Sequence, residues 1–376
     1  MSNEIEQADK YMNNWNNIHR KRIYWWIRFF LLLMGVAFAE FAHGSASQVG
    51  SEQQVQSITK QRPSQIRALH FVMRPSGDSY PALEIEMAKR LVILARDNGF
   101  NTIIMQLANG IYLQKNFGVV RLGVWNKEQL QEFVAFSRSN KMEVIPEIEL
   151  LTHQEKYFEN QYPKLMFNRS TYNPNDPLVY EKIFAYLDEV IEVMHPKSIH
   201  IGHDEVAGYS PYSAKKWMRK GEKMLPADLF LQDVLRLHGY LKPRGIKTWM
   251  WGDMLISPDE FPDMNPKPLH GGVASYGKAL RDKLPKDIVI SDWHYSDDQA
   301  DFPSLAAFRQ EGFRVLGSTW KKPKTIRNFS RYAVMHGADG MIATTWFHVP
   351  RKEWNVVDRI IRESGEAFKK DFPDEK

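Results

Sequence analysis

The chain has 376 residues, of which 43% are hydrophobic and 25% are charged, a composition typical of a globular protein with a large core. This length allows two or three domains, or one barrel of roughly 250 residues or more. The absence of cysteine excludes thiolate catalysis, zinc–thiolate centres and disulfides. The net charge of +5 suits anionic surroundings such as a cell envelope, but no arginine-rich run or nucleic-acid motif is present, so nucleic-acid binding is not expected.

The amino-terminal segment has the pattern of an export signal. A basic stretch at 20–28 precedes the apolar run 29–39, which is too short to span a bilayer and ends in Ala-Phe-Ala. We therefore predict that residues 1–43 form a signal peptide or a signal anchor. An uncleaved anchor over 23–42 is the alternative to cleavage, and both place the rest of the protein outside the cytoplasm, in a periplasmic or extracellular location.

Residues 44–64 are rich in Ser and Gln and lack apolar periodicity, which predicts a flexible linker. From residue 65 to residue 376, short β-rich runs alternate with segments of helical periodicity. The eight runs are 66–73, 101–107, 142–148, 198–202, 246–251, 288–291, 314–319 and 341–346. Alternating strands and helices imply parallel pairing, and eight strands over about 300 residues predict an α/β fold of the (β/α)₈ TIM-barrel type.

Polar and aromatic side chains follow the predicted strands at their carboxyl ends, where the functional site of such a barrel lies. They are Gln106, Asn109, Glu147, Glu149, His153, Asp204, Glu205, Trp251, Asp253, Trp293, Tyr295, Asp297, Trp320, Trp346 and His348. Aromatic faces pack on the C–H surfaces of sugars and carboxylates bind hydroxyl groups, so this set predicts a carbohydrate site. The adjacent carboxylates Asp204 and Glu205 have no structural use at a strand end but suit acid–base chemistry in a cleft.

The segments 200–206 and 145–153, together with three shorter segments that follow them, resemble motifs of the family 20 glycoside hydrolases, the β-N-acetylhexosaminidases. The segment 200–206, His-Ile-Gly-His-Asp-Glu-Val, is similar to the family pattern His-x-Gly-Gly-Asp-Glu-Val, with His203 in place of the second Gly. The segment 145–153, Ile-Pro-Glu-Ile-Glu-Leu-Leu-Thr-His, keeps the spacing of Pro-Glu-Ile-Asp-Met-Pro-Gly-His. Three further matches follow in the family's order: Trp251-Gly252-Asp253, Tyr295-Ser296-Asp297 and Trp346.

The resemblance implies a single catalytic domain without a cofactor or a metal, acting on N-acetylhexosamine-containing glycans by substrate-assisted catalysis. By analogy, Asp204 orients the substrate acetamido group, Glu205 is the acid and base, and Tyr295 hydrogen-bonds the acetamido oxygen. The other residues expected at the site bind the sugar or support the carboxylates. Arg67, Trp251, Asp253, Trp293, Asp297 and Trp346 are expected to contact substrate, with Glu149, His153 and His200 behind the catalytic groups.

Departures from the family pattern leave the preferred sugar open, because Gln106, Asn109 and His348 stand where other residues are common. The oligomeric state, and exo versus endo action, are also open. Two rival interpretations are a non-catalytic sugar-binding barrel and a metal-dependent hydrolase using His200 and His203 with the carboxylates. The second requires two histidines on opposite faces of a strand to bind one ion.

Overall fold

The protein is described by a computed structural model over residues 65–73, 82–115, 123–257, 259–262, 264, 276–296, 299–346, 348 and 350–374. The predicted signal or anchor and the predicted linker lie outside these residues. Of the helices in the described ranges, none is both long and apolar enough to cross a membrane.

The described residues form ten strands, and eight of them close into one parallel barrel. The strands are β1 (Ile66–Val72), β2 (Thr102–Gln106), β3 (Glu143–Leu150), β4 (Met166–Asn168), β5 (Thr171–Tyr172), β6 (Ser198–Gly202), β7 (Lys247–Trp251), β8 (Val289–Trp293), β9 (Arg314–Thr319) and β10 (Gly340–Thr344). Their order around the barrel is β1-β10-β9-β8-β7-β6-β3-β2, while β4 and β5 pair as a separate antiparallel hairpin. The predicted TIM barrel is therefore confirmed, and the hairpin was not predicted.

Helices follow the strands and cover the outside of the barrel. They are α1 (Ile85–Asp97), α2 (Lys127–Ser139), α3 (Phe158–Gln161), α4 (Pro177–Met194), α5 (Pro211–Trp217), α6 (Ala227–Leu241), α7 (Lys278–Arg281), α8 (Pro303–Gln310), α9 (Pro323–Met335) and α10 (Pro350–Asp371). Local sequence fixes several of their starts. Before α2, the Asn126 side chain accepts a hydrogen bond from the Gln129 backbone N–H, and the Gln129 side chain accepts from the Asn126 backbone N–H.

The apolar side chains of the strands form two layers of core. Inside the barrel, seven strands contribute one buried residue each: Ala68, Ile104, Ile145, Trp249, Val289, Leu316 and Ile342. Outside, a larger cluster packs the strands against the helices. The strands are consequently buried on both faces, which explains why apolar residues occur on both faces of each strand. Their carboxyl ends open together at one end of the barrel, which we call the mouth.

Arg67 lies at the opposite end, near the start of β1, and is 3% exposed. Its guanidinium donates to the carbonyl oxygens of Gly99 and Phe372, the latter at 2.7 Å, and forms an ion pair with Asp374. These contacts join β1 to the segment after α10. This position contradicts the expectation that Arg67 binds sugar hydroxyls, because the strand separates it from the mouth.

Candidate active site

The turn after β6 gives the two adjacent carboxylates their directions. Gly202, His203 and Glu205 take φ angles of +72°, +72° and +50°. A β-carbon on Gly202 would come within 2.7 Å of Glu149 Oε1 and 3.3 Å of the β3 backbone, and together with the left-handed φ this favours glycine there. Left-handed backbone costs a non-glycine residue on the order of 1–3 kcal/mol, and such strain concentrates at functional sites. His153 and Trp346, both at the mouth, also have left-handed backbone, with φ of +55° and +35°.

His153 lies between the two carboxylates. Its Nε2 is 3.8 Å from Asp204 Oδ2 and 3.7 Å from Glu205 Oε2. Burial acts against the charged imidazolium, but the interaction with Asp204 outweighs it and raises the pKa of His153 to about 9. Burial also acts against ionisation of Asp204, yet its interactions with His153 lower the pKa of Asp204 to about 2. At neutral pH the two form an ion pair.

Glu205 has a different environment from Asp204. Burial raises the pKa of Glu205, and the charge of Asp204 adds to this effect although His153 opposes it. The Tyr209 hydroxyl donates to Glu205 Oε1 at 3.2 Å. The two adjacent carboxyl groups therefore differ chemically: Asp204 holds its negative charge, while Glu205 retains a proton more readily. Such a division is typical of an acid–base site.

Glu149 supports Asp204 from β3. Burial, together with the charges of Asp204 and Glu147, raises the pKa of Glu149 well above its usual range, so that its carboxyl group is protonated. Gln106 Nε2 donates to Glu149 Oε2 at 2.8 Å. Glu149 thus adds no negative charge beside Asp204.

Asp253 lies behind the pair and is 3% exposed. Its Oδ2 accepts the backbone N–H of Glu205 at 2.8 Å, and its carboxylate also interacts with the Trp293 side chain. Burial and the charge of Asp204 raise the pKa of Asp253 well above its usual range. The sequence predicted that Asp253 contacts substrate, whereas the structure uses it to fix the backbone of Glu205.

Below these residues, a buried polar group forms the floor of the site. Glu147 Oε2 contacts His70 Nε2 at 2.6 Å, and Glu147 Oε1 accepts from Trp251 Nε1 at 3.0 Å. His200 packs on Trp251 with ring centroids 4.6 Å apart, and burial lowers the pKa of His200 to about 4. Trp251 is fully buried and underlies the site, in contrast to the expectation that it contacts substrate.

Aromatic side chains form one side of the mouth. Tyr295 stacks on Trp293 with centroids 4.8 Å apart and meets Trp346 edge-on at 6.3 Å. The Tyr295 hydroxyl and the Trp346 indole N–H are buried, and the hydroxyl interacts with the side chains of Trp346, Ser318 and Thr344. Burial raises the pKa of Tyr295 well above its usual range, so the hydroxyl keeps its proton. Both groups can donate a hydrogen bond to a ligand.

Two aromatic residues in the segment after β6, Tyr209 and Trp217, were not predicted to lie at the site. The Trp217 ring meets the His153 ring edge-on at 5.0 Å, and Tyr209 lies 6.3 Å from Trp217 as well as contacting Glu205. Both follow the Asp-Glu pair closely in sequence, which was the available signal. Asp297, the remaining predicted contact, lies outside the described residues.

The histidines proposed as metal ligands in the rival interpretation point apart. His200 packs inward on Trp251, whereas His203 contacts Asp233 of α6 on the outer side. A different group, Glu149, His153 and Asp204, has donor atoms within 4.8 Å of one another and could hold a metal ion. The positive charge on His153 opposes cation binding there, so these residues fit an ion pair better.

The barrel with carboxylates and aromatic rings at its mouth defines a protein of the sugar-active TIM-barrel class. Residues 105–321 match the model for the catalytic domain of glycosyl hydrolase family 20. The chain therefore belongs to glycosyl hydrolase family 20. No curated protein sequence matches it.

Several solved structures share the fold, and the first two described here are of this family. A chitobiase from Flavobacterium johnsoniae has 15% identity and a TM-score of 0.60, over 81% of this chain and 48% of that one. An exo-β-N-acetylglucosaminidase from Vibrio harveyi has 16% identity and a TM-score of 0.57, over 81% and 54%. Dispersin B has 15% identity and a TM-score of 0.55, over 81% and 98%. The chain spans about half the length of the first two proteins.

Proposed function

We propose that this protein is a retaining β-N-acetylhexosaminidase that releases terminal N-acetylglucosamine or N-acetylgalactosamine from glycans. The observation that carries the proposal is the chemical difference between Asp204 and Glu205. Asp204 stays ionised beside His153, with a pKa lowered to about 2, whereas Glu205 at the same mouth has a raised pKa. Family membership supports a glycan substrate.

In the proposed reaction the substrate supplies the nucleophile. The oxygen of its 2-acetamido group attacks the anomeric carbon as the glycosidic bond breaks, which gives an oxazolinium intermediate. Glu205 gives its proton to the leaving oxygen and then removes a proton from the water that opens the intermediate. Because the anomeric carbon is inverted twice, its configuration is retained.

Asp204 is assigned to the acetamido N–H. A carboxylate that stays ionised beside His153 can accept this hydrogen bond and stabilise the positive charge that develops on the acetamido group. Tyr295 is assigned to the acetamido oxygen, since its hydroxyl keeps its proton. Trp346 and Trp293 are assigned to sugar contact, as both rings are partly exposed.

Direct assays distinguish the proposed function from its rivals. Purified protein is expected to hydrolyse an aryl β-N-acetylglucosaminide, and Glu205→Gln should lower kcat by about 10³-fold or more. A protein that binds the sugar without hydrolysing it would be a non-catalytic sugar-binding barrel. Parallel assays of N-acetylgalactosamine and glucose derivatives would determine the sugar preference.

We also propose an exported location, on the evidence of the basic and apolar leader at 20–39 alone. Fractionation of cells carrying the full chain tests this. Activity in the periplasm or medium with a shortened polypeptide indicates cleavage, activity in the membrane fraction at full length indicates an anchor, and activity in the cytoplasm contradicts the proposal.

A further inference from the structure

A buried hydrogen-bond network lies directly behind the Asp204–Glu205 turn. His203 Nδ1 is 2.9 Å from the carbonyl oxygen of Ile201, and His203 Nε2 is 2.8 Å from Asp233 Oδ2. A carbonyl oxygen only accepts, so Nδ1 carries a hydrogen, and a second proton lies between Nε2 and the Asp233 carboxyl group. Both polar atoms of the ring are therefore used, and the side chain has one possible orientation.

Asp233 is itself held from other parts of the fold. The Tyr172 hydroxyl of β5 donates to Asp233 Oδ2 at 3.0 Å, and the Tyr180 hydroxyl of α4 donates to Asp233 Oδ1 at 2.5 Å. All four side chains are buried. Asp233 belongs to α6, so the network links the turn after β6 to three outer elements that are themselves packed in the core.

We infer that His203 is a positioning residue that fixes the direction of Asp204 and Glu205 by tying their turn to Asp233. This inference rests on the proposed function of the pair. Gly202 and His203 both take φ of +72°, a conformation that a side chain at position 203 does not favour. The histidine is held there by its contacts on both sides. On the other side of the turn, Asp253 accepts the Glu205 backbone N–H, so the catalytic pair is fixed from two directions.

A second buried histidine provides a matched control. His238 lies on α6, the helix that carries Asp233. Its ring nitrogens are 3.0 Å from Thr248 Oγ1 and 3.4 Å from Asp287 Oδ1. Thr248 lies near the start of β7 and Asp287 precedes β8, so this histidine is at the end of the barrel opposite the mouth. Its removal disturbs packing without touching the site.

The test compares kcat and KM for an aryl β-N-acetylglucosaminide across substitutions of His203. His203→Gly relieves the backbone but removes both contacts, and kcat should fall by about 30- to 100-fold with KM changed less than about threefold. Added imidazole should restore part of kcat by filling the vacated space. His203→Gln keeps a donor directed at Asp233 and should retain more activity than His203→Gly. Asp233→Asn alone should also lose activity. Combined with His203→Gly in a double variant, it should add little further loss, because both changes remove the same contact.

Wild-type activity is measured first and tests the proposed function separately. If wild type is active and His203→Gly has the same kcat and KM, the inference is wrong. It is also wrong if His238→Ala lowers kcat as much as His203→Gly, because the effect would then be general destabilisation. Should His203→Gly fail to fold, the Gln variant decides, since a folded Gln variant no better than Asp233→Asn contradicts the proposed contact.

Discussion

The imidazole Nε2 of His153 lies 3.8 Å from Oδ2 of Asp204 at the mouth of the barrel. The pair makes the carboxylate strongly acidic and the imidazole strongly basic, with pKa values of about 2 and about 9. Glu205 is the second carboxyl group within 4 Å of the same nitrogen. One charged ring thus influences both groups to which we assign chemistry.

Replacing His153 should alter the pH dependence of the reaction. His153→Asn suits the left-handed backbone at this position. Because His153 lowers the pKa of both Asp204 and Glu205, both limbs of the kcat/KM profile should move to higher pH, and kcat should fall about 10- to 100-fold. The exposed His336→Asn is the control. An unshifted profile in the His153 variant would contradict the assigned interaction.

The same ion pair predicts how stability depends on pH. The pKa of His153 is raised by folding, so its contribution is present below its unfolded value of about 6.5 and is lost as the pH rises through about 9. The pKa of Asp204 is lowered by folding, so its contribution is lost as the pH falls toward about 2. Denaturant unfolding of wild type and His153→Asn should show a stability difference that shrinks between about pH 6.5 and 9.

Tyr209→Phe should shift the alkaline limb without abolishing catalysis. The Tyr209 hydroxyl stabilises ionised Glu205, so its removal should raise the pKa of Glu205 and lower kcat by about tenfold or less. Tyr212, which is 65% exposed on the neighbouring helix, provides Tyr212→Phe as a control expected to match wild type. If the pH profile of Tyr209→Phe is superimposable on that of the control, Tyr209 has no influence on Glu205 and the prediction is wrong.

Chelation should leave the activity unchanged. The carboxylates of Asp204 and Glu205 have a positively charged His153 beside them, which opposes a divalent cation. Dialysis against EDTA should therefore give the same kcat and KM as untreated protein. Activity that disappears on chelation and returns with one added divalent metal would instead support the group Glu149, His153 and Asp204 as a metal centre.

Arg67→Ala should affect stability and not the chemistry. Loss of the buried guanidinium leaves the carbonyl oxygens of Gly99 and Phe372 without their donors and should cost about 2–3 kcal/mol of unfolding free energy. The ion-pair partner Asp374 is largely exposed, so Asp374→Asn should cost less than about 1 kcal/mol. Denaturant melts measure both. A raised KM with an unchanged free energy of unfolding in Arg67→Ala would instead indicate that Arg67 binds substrate.

The sequence was sufficient for the barrel because each strand is a short apolar run separated by helical periodicity. It also located Asp204 and Glu205, since adjacent charges at a strand end have no packing role. The sequence was not sufficient where a residue's role depends on the path of the chain or on a backbone hydrogen-bond partner. Trp251 ends a strand as expected, but only the fold shows that Glu147 binds its indole and buries it. Asp253 is bound to a backbone N–H, and such a partner leaves no trace in sequence.

Arg67 illustrates an error that the barrel rule itself could have prevented. It stands second in β1, and the beginnings of the strands lie away from the mouth. Tyr209 and Trp217 were missed for the opposite reason, because the segment after β6, which carries Tyr209 and the short helix α5 with Trp217, returns over the site along a path that periodicity does not describe.

In the proposed reaction, the substrate's own acetamido oxygen is the nucleophile. Aryl β-glucosaminides bearing acetyl, monofluoroacetyl, difluoroacetyl and trifluoroacetyl groups differ in the nucleophilicity of that oxygen while the leaving group stays the same. We predict that kcat/KM for the wild-type protein falls steeply with each added fluorine, by about 10³-fold or more over the series. Hydrolysis at nearly the same rate across the four substrates would contradict substrate assistance and require a nucleophile from the protein.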